Sequence, residues 1–195
     1  MSEMKSAWEK ALEKAEKLGK PTEEELRKLE HIPAGNTLAA RYLQEDKFDL
    51  DAELTKYKGG GFRQYILQGA QEIFLRNITL PHNEHDKKVT LRAMAGIKIL
   101  KDNKKQIDVL FDRINNLLSY YEQARQQTFS QFKKSFEAKL QELNKTIQQK
   151  TGAAANLDAQ IQQQFQDEWR RSSNELDAQY DKALEEHKQQ IVKLT

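Results

Sequence analysis

Apolar residues recur along this chain at helical spacing almost from end to end. In "SAWEKALEKAEKLG", Trp8, Leu12, Ala15 and Leu18 form one stripe, which Gly19 and Pro21 close. "TEEELRKLEHIP" follows. Thr22 and Glu25 have the spacing of a capping box, with Leu26 and Leu29 behind them and Pro33 as the expected stop. "NTLAARYLQED" and "DLDAELTKY" predict two more short helices, with Asn36 and Asp49 as caps. After three consecutive glycines, Phe62, Tyr65, Ile66, Ala70, Ile73, Phe74 and Ile78 make a wide apolar face, as on a helix with several neighbours. From "PHNEHD" no strong breaker appears until Gly152. This predicts a helix of roughly 65 residues, about 100 Å long at 1.5 Å per residue, with a gentle bend near Gly96 or Asp102–Asn103.

The period of that long stretch is informative. A heptad from Ile107 falls on Thr128, Ser135 and Glu142 and fails. An eleven-residue period fits better. Ile107, Leu118, Phe129 and Leu140 form one row, and Leu110, Tyr121, Phe132 and Leu143 a second. Ile114, Arg125, Phe136 and Ile147 form a third, in which Arg125 is the exception. The last segment repeats the pattern in Trp169, Tyr180 and Ile191, and in Phe165 and Leu176. Eleven residues in three turns describe a nearly straight helix, not a left-handed zipper. "KTGAAAN" separates the two stretches, with Gly152 as a natural stop and Asn156 and Asp158 as natural starts. The expectation is an all-α protein: a small helical head over 1–85, then a long antiparallel helical hairpin over 86–195, coiled-coil-like, with its turn near 151–156.

Composition narrows the functional classes. Of 195 residues 37% are hydrophobic and 32% charged, which suits thin solvent-facing helices better than a thick core. The absence of cysteine removes disulfides, thiol nucleophiles and Cys-based zinc sites, and fits a cytoplasmic location. No apolar run approaches the ~18 residues of a membrane span. Residues 1–60 carry 11 basic and 13 acidic side chains, a net −2; residues 61–106 carry 9 and 4, a net +5; residues 107–195 carry 12 and 13, a net −1. An anionic partner, nucleic acid included, would therefore favour 61–106, although the basic stripe is sparse.

Candidate chemistry is thin. "KYKGGGFRQY" lacks the Lys-Ser/Thr of a phosphate loop, although Lys56, Lys58 and Arg63 could gather an anion at the following helix start; the simpler reading is a hinge. "HNEHD" offers His82 and His85 as metal ligands without a third partner in view, whereas Asn83 as helix cap, with Glu84 and Asp86 in the first turn, explains the cluster without metal. No serine stands in a nucleophile turn. The expectation is a protein without cofactor and without catalytic residues.

The opening "KSAWEKALEKAEKLG" resembles the start of an uncharacterised family of bacterial helical proteins, and implies no site residues. The Gln- and charge-rich hairpin is similar in shape to the stalk subunits of rotary ATPases. Together these features predict a non-enzymatic scaffold or adaptor that meets itself or a partner helix through helix faces. Phe111, Tyr120, Phe129, Phe132, Phe136, Trp169 and Tyr180 are the candidate contact residues, because a two-helix seam has too little room for all of its aromatics. Binding of nucleic acid or anions through 61–106 is the alternative, and a stalk-like subunit of a larger assembly a third.

Overall fold

The computed structural model describes residues 21–58, 61–151 and 158–194, and every regular element among them is α-helix. The chain divides into two compact units between Arg76 and Asn77. The expected first helix, over 6–19, lies outside the described residues.

The first unit holds α1 (Glu23–Gln44), α2 (Leu50–Thr55) and α3 (Arg63–Asn77). The Thr22–Glu25 capping box forms, and Asp49 caps α2 by accepting the Ala52 amide at 3.0 Å. Pro33 does not stop a helix: α1 runs straight through it. Pro33 and Leu29 both face solvent, so water can satisfy the Leu29 carbonyl that the proline leaves without a donor. The inner side supplies the reason to continue. Gly35 lies against the backbone of α3, where an added Cβ would stand 2.0 Å from the Ile66 carbonyl oxygen; a Cβ on Gly69 would stand 2.2 Å from that of Ile32. The two glycines let α1 and α3 touch backbone to backbone, around Leu38, Ala39, Ile66 and Ala70. Asn36, expected as a cap, therefore sits inside α1. Gly61 stands in a turn with open space around it.

The second unit holds α4 (Glu84–Leu100), α5 (Lys104–Thr151) and α6 (Asp158–Lys193). Asn83 caps α4 through the Asp86 amide. The single helix expected from 86 to 151 is two helices, broken at Lys101–Asn103. Lys101 turns extended, and the Asn103 side chain accepts the Gln106 amide at 3.2 Å, starting a new helix instead of bending the old one. The chain then reverses, because Lys98 pairs with Asp108 while Lys87 pairs with Glu122. Helices α4 and α5 thus run antiparallel, and the long pair has a third helix beside its first part. Thr90, fully buried, pins the segment leading into α4: its hydroxyl accepts the Thr79 amide and lies 3.1 Å from the Thr79 carbonyl.

Helices α5 and α6 also run antiparallel over their described length. Tyr121 meets Tyr180, Phe129 meets Trp169 and Phe136 meets Phe165, so partner numbers fall as α5 rises. The connection between them, with its expected turn, lies outside the described residues. Ile107, Leu118, Leu110, Tyr121, Ile114 and Phe136 of the eleven-residue rows are buried, as is Ile191.

Candidate functional site

The ordered entry into α4 carries His82 to the side of α5. There Tyr121, with no exposed surface, donates its hydroxyl proton to Asp177 Oδ1 at 2.7 Å, and His82 Nδ1 lies 3.1 Å from the same hydroxyl oxygen. A carboxylate only accepts, so the Tyr121 proton points to Asp177 and His82 Nδ1 must carry the proton that meets the phenol oxygen. That fixes the histidine tautomer and leaves Nε2 as the uncommitted nitrogen. Burial, and then the Asp177 carboxylate, push the Tyr121 phenol well above its ordinary value. The unfolded chain would release this proton near pH ~10, whereas the folded chain holds it, so stability should fall as pH climbs from there toward the higher value. An ultraviolet titration compared with that of a Tyr121→Phe variant should assign to Tyr121 an ionisation step above the ordinary phenol range. Asp177→Asn should lower that step; a Tyr121 step at the ordinary phenol value in the folded protein would contradict it.

Below this triad the aromatic rows converge. Phe129 and Trp169 approach to 4.8 Å between ring centres, Phe132 and Phe165 to 5.0 Å, and Phe136 and Phe165 to 5.1 Å. A cleft of about 460 Å³ opens beside the cluster, walled by Phe129 and Trp169 and rimmed by His82, Glu84, Glu122 and Arg125. Lys87 Nζ reaches both oxygens of Glu122, at 2.8 and 3.0 Å, and neutralises it. Arg125 makes a long 3.5 Å contact to the His82 carbonyl and lies 6.0 Å from the Trp169 ring centre. Its Nε is buried with no hydrogen-bond partner among the described residues.

The sequence candidates are distributed unevenly over this geometry. Of the contact residues, Phe129, Phe132, Phe136 and Trp169 share one cluster with Phe165. Phe111 and Phe136 are buried, Phe132, Trp169 and Tyr180 half-buried, and Tyr120 is 64% exposed. His82 faces Tyr121, His85 is exposed on α4, and no metal-sized group of acids and histidines forms among the described residues. Of the suggested anion cluster, Lys56 pairs with Glu53 and Arg63 donates to the Leu54 carbonyl at the end of α2, while Lys58 is exposed. Several lysines of 61–106 are similarly occupied, while Lys88 and Lys105 are exposed. Lys101 donates to the Leu194 carbonyl, with burial pressing its ammonium below the usual lysine range, and Lys104 donates to that of Lys98. The sequence reading missed the Tyr121–Asp177 pair, which is 56 residues apart. It did single out Arg125, as the one charged residue in an apolar row.

These features define an all-helical protein whose long antiparallel helices carry a polar triad and an aromatic cleft. No described helix is long and apolar enough to cross a membrane. The chain belongs to a family of unknown function (DUF6657), whose match covers residues 51–193 and so both long helices and the cleft. That agrees with the resemblance to an uncharacterised family, although the match falls downstream of the opening stretch. Among curated proteins and among solved structures nothing matches the chain.

Proposed function

We propose that this is a non-enzymatic helical scaffold or adaptor of the bacterial cytoplasm that assembles with a second copy of itself through the outer face of α5. The observation that carries this reading is a second apolar row. Val109 and Tyr120, eleven residues apart on α5, are 53% and 64% exposed, although the core-row residues around them, Ile107, Leu110, Ile114, Leu118 and Tyr121, are buried. A groove of about 400 Å³ beside Val109 and Leu110, closed on the other side by Gln190 and Leu194, extends that face. Apolar side chains aligned on a helix are the usual material of helix-to-helix recognition. A stalk-like spacer in a larger assembly would use the same face.

Size-exclusion chromatography with light scattering tests it. The wild-type chain should elute as a dimer or larger, and Val109→Glu with Tyr120→Glu should give a monomer of unchanged helicity. A monomeric wild type at every concentration refutes self-assembly. The anion-binding alternative is weaker because Arg63, Lys98, Lys101 and Lys104 already hold protein groups. It would be revived by nucleic-acid absorbance in the protein peak that disappears at high salt.

A further inference from the structure

We propose that the cleft between His82 and Trp169 binds a small carboxylic acid with a flat apolar body, of the arylacetate kind. The argument begins with charge. Glu122 is neutralised by Lys87, whereas Arg125 meets no carboxylate among the described residues. Its guanidinium is the uncompensated cation on the rim. Packing, not an ion pair, holds it in place: its Nε is enclosed and unpaired, its Cζ lies 6.0 Å from the Trp169 ring centre, and one terminal nitrogen makes only the long contact to the His82 carbonyl. A guanidinium fixed in this way presents its terminal nitrogens as a fork that fits a carboxylate.

The rest of the cleft selects the kind of acid. Phe129 and Trp169 form an aromatic wall against which a planar apolar group can stack. A volume of about 460 Å³ lies in the range of small-molecule sites. With Glu122 paired to Lys87, Glu84 is the remaining acid on the rim, so the second charge of a dianion such as a phosphate monoester meets Glu84 without a further cation to offset it, whereas a monoanion is matched by Arg125. His82, its tautomer fixed by Tyr121, adds Nε2 as a further polar group on the rim. The helix start at α4 plays no part, since Asn83 and Asp86 already take the Asp86 and His82 amides. The inference is independent of self-assembly, because the cleft and the Val109–Tyr120 row involve different residues.

The test uses the full chain with Trp8→Phe, which leaves Trp169 as the remaining tryptophan. Phenylacetate should change Trp169 emission saturably, and the neutral isostere phenylacetamide should bind at least about tenfold more weakly, as expected for a charge-assisted contact. Arg125→Met should abolish the response, Arg125→Lys should weaken it, and Glu84→Gln should strengthen it by removing the opposing charge. Circular dichroism on each variant separates lost binding from lost structure. Absence of a saturable response, equal binding of acid and amide, or affinity unmoved by both Arg125→Lys and Glu84→Gln would overturn the proposal. Light scattering on the same samples reports assembly separately, so failure of one reading is distinguishable from failure of the other.

Discussion

Gly35→Ala is expected to destabilise the first unit by about 3 kcal/mol or more, and Gly69→Ala by a similar amount. Neither effect is one of helix propensity, since alanine favours a helix by ~1 kcal/mol over glycine at an ordinary position. Here the methyl group has nowhere to go. It would stand 2.0 Å from the Ile66 carbonyl oxygen in one case and 2.2 Å from that of Ile32 in the other. Both neighbours are backbone, which cannot rotate aside as a side-chain tip can. The helices must part, and Ile66, Ala70 and Ala39, fully buried at present, lose contact. Gly61→Ala is the control: with nothing near its Cβ position, its effect should stay within about 0.5 kcal/mol. Urea denaturation followed by circular dichroism measures all three. If Gly35→Ala matched Gly61→Ala, α1 and α3 would not cross at these glycines.

The same pair explains where sequence patterning succeeds and where it stops. Caps are local, so Thr22 with Glu25, Asp49 and Asn83 are legible from a few neighbouring residues, and all four residues form the expected bonds. Long stripes are legible for a similar reason, because a straight helix repeats its face. Pro33 misleads because a proline penalty is local whereas the glycine crossing that outweighs it joins positions more than thirty residues apart. The break at Lys101–Asn103 was visible only as a place to bend. What makes it a reversal is the pairing of Lys98 with Asp108 and of Lys87 with Glu122, neither of which has a periodic signature. At the candidate site Phe129 and Trp169 were legible as aromatic candidates and His82 as a polar one, whereas Arg125 showed only as a charge where an apolar residue was due. The triad was not legible as a unit, because its members lie on three segments: His82 stood out only as a possible metal ligand, Tyr121 only as part of an apolar row, and Asp177 not at all.

Phe136→Ala should destabilise the second unit by about 3–5 kcal/mol, the usual cost of emptying a buried aromatic site. Phe136 retains 4% of its surface and touches Phe132 and Phe165 at ring-centre distances of 5.9 and 5.1 Å. Removing it takes contacts from both long helices at once, and neighbours that are themselves rigid rings cannot collapse to fill the space. The prediction separates two roles the sequence leaves merged. A residue that serves the fold of its own chain lowers the melting temperature by the same amount at every protein concentration. A residue that serves contact between copies gives a loss that depends on concentration, because dissociation is part of the transition. Phe136→Ala is expected to behave in the first way and Tyr120→Ala, on the exposed row, in the second. Scanning calorimetry across a wide range of dilution checks both. If Phe136→Ala showed the concentration dependence instead, the aromatic cluster would belong to an interface, and the cleft beside it would be shaped by the partner and not by this chain alone.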